Sequence, residues 1–204
     1  AWLWMLPADM ERYSASLASV AVFASNILFW RTSGGYSDTA TELKPLLHTW
    51  SLAVEEQFYL LYPLLLALVW ARGRKALVLI LGAGALISFA LAEWDSMLSS
   101  SFTFYLLPTR AWELALGAMT AIYLSRHGPP ASAPQAQAAG SLLGLVLISF
   151  AVVAFDDATP FPGRYALVPA LGTVLIICFA NVRTWTGRLL GSRLLVGIGL
   201  VSYS

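Results

Sequence analysis

The chain has 204 residues, 58% of them hydrophobic and only 11% charged, with a mean hydropathy of +0.71 and a formal net charge of +1. Soluble domains carry about 25% charged residues, so this composition excludes an ordinary water-soluble domain, and the near-neutral balance gives no basis for nucleic-acid binding. The single cysteine, Cys178, excludes an internal disulfide; it lies in the apolar run Leu175-Ile176-Ile177-Cys178-Phe179 without neighbouring metal ligands and reads as a buried, inert thiol.

Apolar stretches recur at lengths close to the ~20 residues with which a helix crosses a bilayer. The expected fold class is therefore all-α, a polytopic transmembrane helical bundle. The chain opens in the tail of an apolar stretch, Trp2-Leu3-Trp4-Met5-Leu6, with no initiator Met and no charged leader that would read as a signal peptide. It stops at Ser204 partway through another apolar segment, so both ends read as cut. Segment 13–30 holds Ser14, Ser16, Ser19, Ser25 and Asn26 among its apolar residues; it is short and polar for a span, and the pattern alone leaves open whether it crosses, re-enters or lies at the interface. Spans are expected over about 49–71, 76–92, 109–125, 139–155 and 165–182, with a partial one over 193–204. Gly34-Gly35 and Pro45, then Gly128-Pro129-Pro130, then Pro160-Pro162-Gly163 punctuate the connections. The Ala/Pro/Gln-rich stretch from Ser132 to Ala139 reads as a mobile linker.

Topology follows from the basic residues. One set of alternate loops holds Arg72, Arg74, Lys75, Arg126, Arg183, Arg188 and Arg193; the other holds Arg31, Lys44 and Arg164 beside Asp38, Glu42, Asp95, Asp156 and Asp157. Seven basic residues against three place the first set in the cytoplasm.

The first long span carries the adjacent acids Glu55 and Glu56. An acid at the centre of an inserted helix costs roughly 2.5–3.5 kcal/mol on insertion scales, so such residues face a bundle interior or a wet cavity and mark a functional site. At about 100° per residue, a helix running from His48 gathers His48, Ser51, Glu55, Tyr59 and Tyr62 in an arc of about 80°, with Glu56 roughly 60° beyond. His48 and Glu55 are then about 10.5 Å apart along the axis, suited to opposite ends of one small cavity. The plainer alternative makes His48 an interfacial helix cap and the tyrosines part of an aromatic belt. In the third span, Arg110 and Glu113 are three positions apart and able to pair. Glu55, Glu56, Arg110 and Glu113 sum to a formal −2 if all are ionised. Either a desolvated glutamate is protonated or a cation from elsewhere completes the site.

The run from Lys44 to Pro63, which contains His48-Thr49-Trp50-Ser51-Leu52-Ala53-Val54-Glu55-Glu56-Gln57-Phe58-Tyr59, closely resembles the signature of the acyltransferase family 3 membrane proteins. The resemblance extends to Ser25-Asn26-Ile27, to Gly35-Tyr36-Ser37-Asp38, to Thr109-Arg110-Ala111-Trp112-Glu113-Leu114 with Gly117, and to Gly199-Leu200-Val201-Ser202-Tyr203-Ser204. Ser37 departs from the Phe more usual there. The resemblance implies an O-acyltransferase of the bacterial cytoplasmic (inner) membrane. Its donor would be acetyl-CoA or another acyl-CoA, used as a substrate, with no bound cofactor and no metal. Its acceptor would be a hydroxyl of an extracytoplasmic glycan such as O-antigen, exopolysaccharide or lipopolysaccharide.

The family's first helix carries an Arg and a catalytic His, and a basic motif before its third helix is associated with the CoA donor. Neither is present here, so the resemblance implies a piece that is inactive alone and whose excess carboxylates pair with that missing Arg and His. Family parity also puts residues 7–47 outside, which agrees with the basic-residue count and makes segment 13–30 non-spanning.

Transfer of an acyl group from a thioester to a sugar hydroxyl needs a base for the hydroxyl proton and donors for the oxyanion. The expected catalytic set in this chain is Glu55, Glu56, His48, Arg110 and Glu113. Glu55 or Glu56 orients the family His, Arg110 stabilises charge, Glu113 orients Arg110, and His48 binds acceptor or relays a proton. Expected substrate contacts are Tyr36, Asp38, Trp50, Ser51, Tyr59 and Trp112; for Tyr36 and Asp38 a simple turn with a solvated acid is the alternative. Partners implied are acyl-CoA, the glycan acceptor and the lipid bilayer. Two rival classes are a transporter or flippase, which also places acids at mid-membrane, and a catalytically inactive scaffold.

Overall fold

A computed structural model describes residues 7–32, 44–96, 101–130, 133–156 and 159–202. Ten α-helices follow one another, and no strand occurs among the described residues. They are α1 (Pro7–Ala21), α2 (Ser25–Thr32), α3 (Thr49–Val69), α4 (Gly73–Ser96), α5 (Ser101–Tyr105), α6 (Leu107–His127), α7 (Pro134–Ala154), α8 (Leu167–Phe179), α9 (Trp185–Leu190) and α10 (Arg193–Ser202), with 3₁₀ turns at Trp70–Arg72 and Arg164–Ala166. Among them α3, α4 and α7 are long and apolar enough to cross a membrane; 21 residues rise about 31 Å, the depth of a hydrocarbon core. On α3, Leu60, Leu64 and Leu68 repeat every four residues at 70%, 57% and 72% exposure. Such a stripe would be an aggregation surface in water and is the natural outer face of a helix in lipid. The chain is an all-α membrane helical bundle.

The helices form two compact units, Ala1–Ala115 with Pro160–Gly163, and Leu116–Thr159 with Arg164–Ser204. In the first, the polar segment that the sequence leaves undecided is two short helices, α1 and α2, divided at Phe23, whose φ is +54°. Its serines do not oppose helix formation because their hydroxyls bond within the helix: Ser14 to the Glu11 carbonyl, Ser16 to that of Arg12 and Ser19 to that of Ser16. Fifteen and eight residues rise only about 22 and 12 Å, too short to cross alone.

Helix α2 is joined to its neighbours by polar side chains. The Ser25 hydroxyl donates to the Thr49 carbonyl at 2.9 Å, and Asn26 Nδ2 donates to the Tyr105 carbonyl at 3.2 Å. Gln57 Nε2 donates to Asn26 Oδ1 at 2.9 Å and to the Phe23 carbonyl at 2.7 Å. Ser25 and Asn26 are buried, so each bond satisfies a group that would otherwise be desolvated at a cost of about 1–3 kcal/mol. Lys44 Nζ donates to the Thr32 carbonyl at 2.6 Å and closes the C-terminal end of α2. Beneath these bonds Phe29, Trp50, Val54 and Tyr105 form one apolar core.

The second unit is built differently. The stretch from Ser132 to Ala139, which reads as a linker, is mostly the start of α7. Pro134 occupies the first turn, where its missing N–H costs nothing, and Ala and Gln are strong helix formers. Helix α7 crosses α8 at Gly144 and Gly172. A Cβ on Gly144 would stand 2.6 Å from the Gly172 carbonyl oxygen, and one on Gly172 would stand 2.8 Å from that of Gly144. Gly140, four residues before Gly144, meets the Phe179 ring. Small residues at this spacing let backbones approach where no hydrophobic effect drives helices together.

Gly144→Ala therefore overpacks the crossing, and we expect a loss of about 1–3 kcal/mol. Gly84→Ala on α4 introduces a Cβ with nothing within 4 Å and is expected to be neutral or to stabilise by up to about 1 kcal/mol. Thermal unfolding midpoints in detergent micelles compare the two, and equal midpoints would refute the close-crossing account.

Candidate active site

Position and periodicity bring one polar group of side chains together in the first unit. The first two turns of α3 present Trp50, Ser51, Val54 and Glu55, and the start of α6 presents Arg110, Glu113 and Leu114; these seven line a cleft of about 70 Å³. Trp50 lies 4.6 Å from Phe104 at 48° and meets Tyr105 edge-on at 5.6 Å. Over this aromatic platform sits Arg110, its Cζ 4.9 Å from the Trp50 ring and 5.5 Å from that of Phe104. Such cation–π contacts contribute about 0.5–2 kcal/mol as the site desolvates. Arg110 Nη2 also lies 3.5 Å from Glu113 Oε1, with side chains 18% and 30% exposed. Arg110 Nε and Glu113 Oε1 are buried and make no hydrogen bond among the described residues. The cation is thus held by an ion pair and two ring faces while retaining an unused N–H donor.

The start of α6 is fixed by its own residues. Thr109, fully buried, donates to the Thr103 carbonyl at 2.8 Å and to that of Leu106 at 2.9 Å, locking the bend between α5 and α6. The Trp112 backbone N–H donates to the Ser88 hydroxyl at 3.1 Å, and the Trp112 ring meets Phe89 edge-on at 5.2 Å, which seats α6 against α4.

Of the residues singled out in the sequence, Trp50, Ser51, Glu55, Arg110 and Glu113 meet in the cleft. His48 is exposed in the turn before α3, which begins at Thr49, and its carbonyl accepts from the Ser51 hydroxyl at 3.2 Å. Glu56 is half-buried and Tyr59 half-exposed, and neither lines the cleft. Trp112 is 2% exposed and packs behind it, its Nε1 without a hydrogen bond among the described residues. Tyr36 and Asp38 lie outside the described residues. Sequence reasoning passed over Val54, Leu114 and Phe104. The first two look like ordinary lipid or core positions, and Phe104 falls in a stretch with no span. Among the described residues no group of three or more His, Cys, Asp or Glu side chains is placed to hold a metal.

Two substitutions separate the supports of this site. Thr109→Val removes the one hydroxyl proton shared between the Thr103 and Leu106 carbonyls and is expected to cost about 1–3 kcal/mol. Trp112→Phe removes an N–H that bonds nothing in the described chain but also leaves a cavity where the larger ring was buried, and is expected to cost about 1–3 kcal/mol. Unfolding midpoints in micelles that Thr109→Val leaves unchanged would show that its hydroxyl does not lock the bend between α5 and α6.

A sequence model of acyltransferase family 3, described as an acyltransferase domain, matches residues 3–204. An uncharacterized protein of Haemophilus influenzae is 30% identical over 179 residues, covering 83% of this chain and 72% of that protein. The peptidoglycan O-acetyltransferase OatA of Listeria monocytogenes is 30% identical over 195 residues, covering 89% of this chain and 31% of that protein, so the chain spans about a third of that relative's length. No solved structure matches the chain. The matched span takes in both walls of the cleft, and the chain belongs to acyltransferase family 3.

Proposed function

We propose that this chain carries the transfer site of a membrane O-acyltransferase that moves an acyl group, acetyl from acetyl-CoA, to a hydroxyl of an extracytoplasmic glycan. The observation that carries the reading is Arg110, a cation held over Trp50 and Phe104 with a buried N–H unused, in a chain of this family. In acyl transfer the glycan hydroxyl oxygen forms the new C–O ester bond, the thioester C–S bond breaks, and the hydroxyl proton ends on the released thiol. Arg110 donates to the carbonyl oxygen as negative charge develops there, a role for which a preorganised donor in a dry site is worth several kcal/mol. Glu113 is a positioning residue that holds the guanidinium. Glu55 faces the same cleft and is the carboxylate that takes or relays the hydroxyl proton. His48, three residues before cleft-lining Ser51, receives the acceptor at the mouth. The name of the Listeria relative points to peptidoglycan as one glycan of this class.

The direction of transfer agrees with the charge pattern. With Arg72, Arg74 and Lys75 in the cytoplasm, the N-terminal ends of α3 and α6 face outward, and the cleft sits at the outer end of both. Because Cys178 is the single cysteine, a Cys178→Ser background permits clean labelling. Pro45→Cys is expected to react with an impermeant maleimide in intact spheroplasts, and Arg74→Cys only after permeabilisation. The opposite pattern would invert the topology.

Transfer itself is measured by following labelled acetyl from acetyl-CoA into envelope glycan, using the full-length protein in membranes. Arg110→Ala is expected to lower transfer by about 10²–10³-fold at matched membrane levels, the scale of losing one oxyanion donor, and Glu55→Gln to lower it by about 10²–10⁴-fold, the scale of losing a general base. A wild type that labels no glycan would refute the reaction, while variants that label normally would refute the site.

A further inference from the structure

The cleft has two walls of different chemistry, and the apolar one has no part in the transfer steps above. Val54 is 4% exposed and belongs to the core with Phe29, Trp50 and Tyr105; Leu114 packs against that core from α6. Both line the cleft beside the polar side chains Ser51, Glu55, Arg110 and Glu113. Because Val54 is locked into the core, this wall cannot retreat to admit a larger group without repacking Trp50, on which Arg110 rests. Interiors of this kind are close-packed and resist even one added methylene.

Volume decides what fits. An apolar cavity of about 150 Å³ holds benzene, with six heavy atoms. The present cleft, at about 70 Å³, is half that size, with room for about three heavy atoms at its Val54 and Leu114 end below an open mouth. An acetyl group has three, whereas a hexose has about a dozen and must stay at the mouth. With the carbonyl oxygen directed to Arg110, the methyl end of an acetyl group meets the Val54 and Leu114 wall.

Resting on the reading of this cleft as the acyl-transfer site, we propose that Val54 and Leu114 are specificity-determining residues that limit the transferred acyl group to two carbons. The group passes from the thioester sulfur to the glycan oxygen, the C–S bond breaking as the C–O bond forms and the hydroxyl proton going to the thiol. The wall sets only how long a chain can occupy the cleft while this happens. Val54→Ala removes two methyl carbons from the wall and Leu114→Ala removes three carbons.

The test is a competition between acetyl-CoA and butyryl-CoA, carrying different labels, for transfer to envelope glycan by the full-length protein in membranes. The readout is the ratio of butyryl to acetyl in the product, which does not depend on how much folded enzyme each membrane holds. Wild type is expected to prefer acetyl by at least about 100-fold, since each methylene in an apolar site changes discrimination by about 10–200-fold. Val54→Ala and Leu114→Ala are each expected to raise the butyryl share at least tenfold, and Val54→Thr, which keeps the volume, to leave the ratio in place. A wild type that accepts butyryl as readily as acetyl overturns the proposal without need of any variant, as do alanine variants whose ratio equals that of wild type. Absence of any acyl transfer by wild type is a different result and refutes the proposed reaction instead.

Discussion

The charge pair in the first two turns of α6 is the constraint around which the first unit is arranged. Arg110 and Glu113 belong to a membrane helical bundle, where an uncompensated charge at mid-helix costs roughly 2.5–3.5 kcal/mol or more. The chain lowers that cost in three ways. The two charges lie 3.5 Å apart, the guanidinium rests over two aromatic faces, and both side chains line a small cleft. The ion pair is internal to α6, but the rest needs partners from other elements: Trp50 from α3, Phe104 from α5, and the seat on α4 provided by Ser88 and Phe89.

That dependence explains why so much polar bonding surrounds an apolar core. Trp50 supports the cation only if α3 is held in register with α2 and α5. The bonds that hold it run from Ser25 to the Thr49 carbonyl, from Asn26 to the Tyr105 carbonyl, and between Asn26 and Gln57. Within a membrane, hydrogen bonds and close packing must do what the hydrophobic effect does in water. The second unit meets the same requirement at its main crossing by close packing, Gly144 against Gly172, with the Asn181 amide donating to Gln137 Oε1 at one end. A joint made of amides and hydroxyls orients side chains around a site; a joint made of glycines brings two backbones together and leaves nothing between them.

Some features were legible in the residues because each is a local consequence of its own side chains. Composition alone requires a membrane protein, and apolar run length yields α3, α4 and α7 as helices able to cross. An acid inside such a run identifies itself by its cost, so Glu55 and Glu56 stand out on α3, while Arg110 and Glu113 stand out by their spacing of three. Other features were hidden for equally physical reasons. The serines of α1 look like a reason against helix until their hydroxyls are seen to bond one turn back. The Ala/Pro/Gln run looks like a linker because it is polar and contains proline, although proline at the first turn favours a helix start.

What the sequence by itself determined was the solvent of this protein, its helical class and which residues are too costly to be idle. Those follow from transfer free energies and from periods of 3.6, which are properties of neighbours along the chain. Only the tertiary structure decided that Glu55 and not Glu56 faces the cleft shared with Arg110, that His48 lies outside the helix it precedes, and that Val54 and Leu114 form a wall. Those are matters of which helix stands beside which. The aromatic platform under Arg110 joins residues 50, 104 and 110 from three helices, and no local pattern in the chain encodes that meeting.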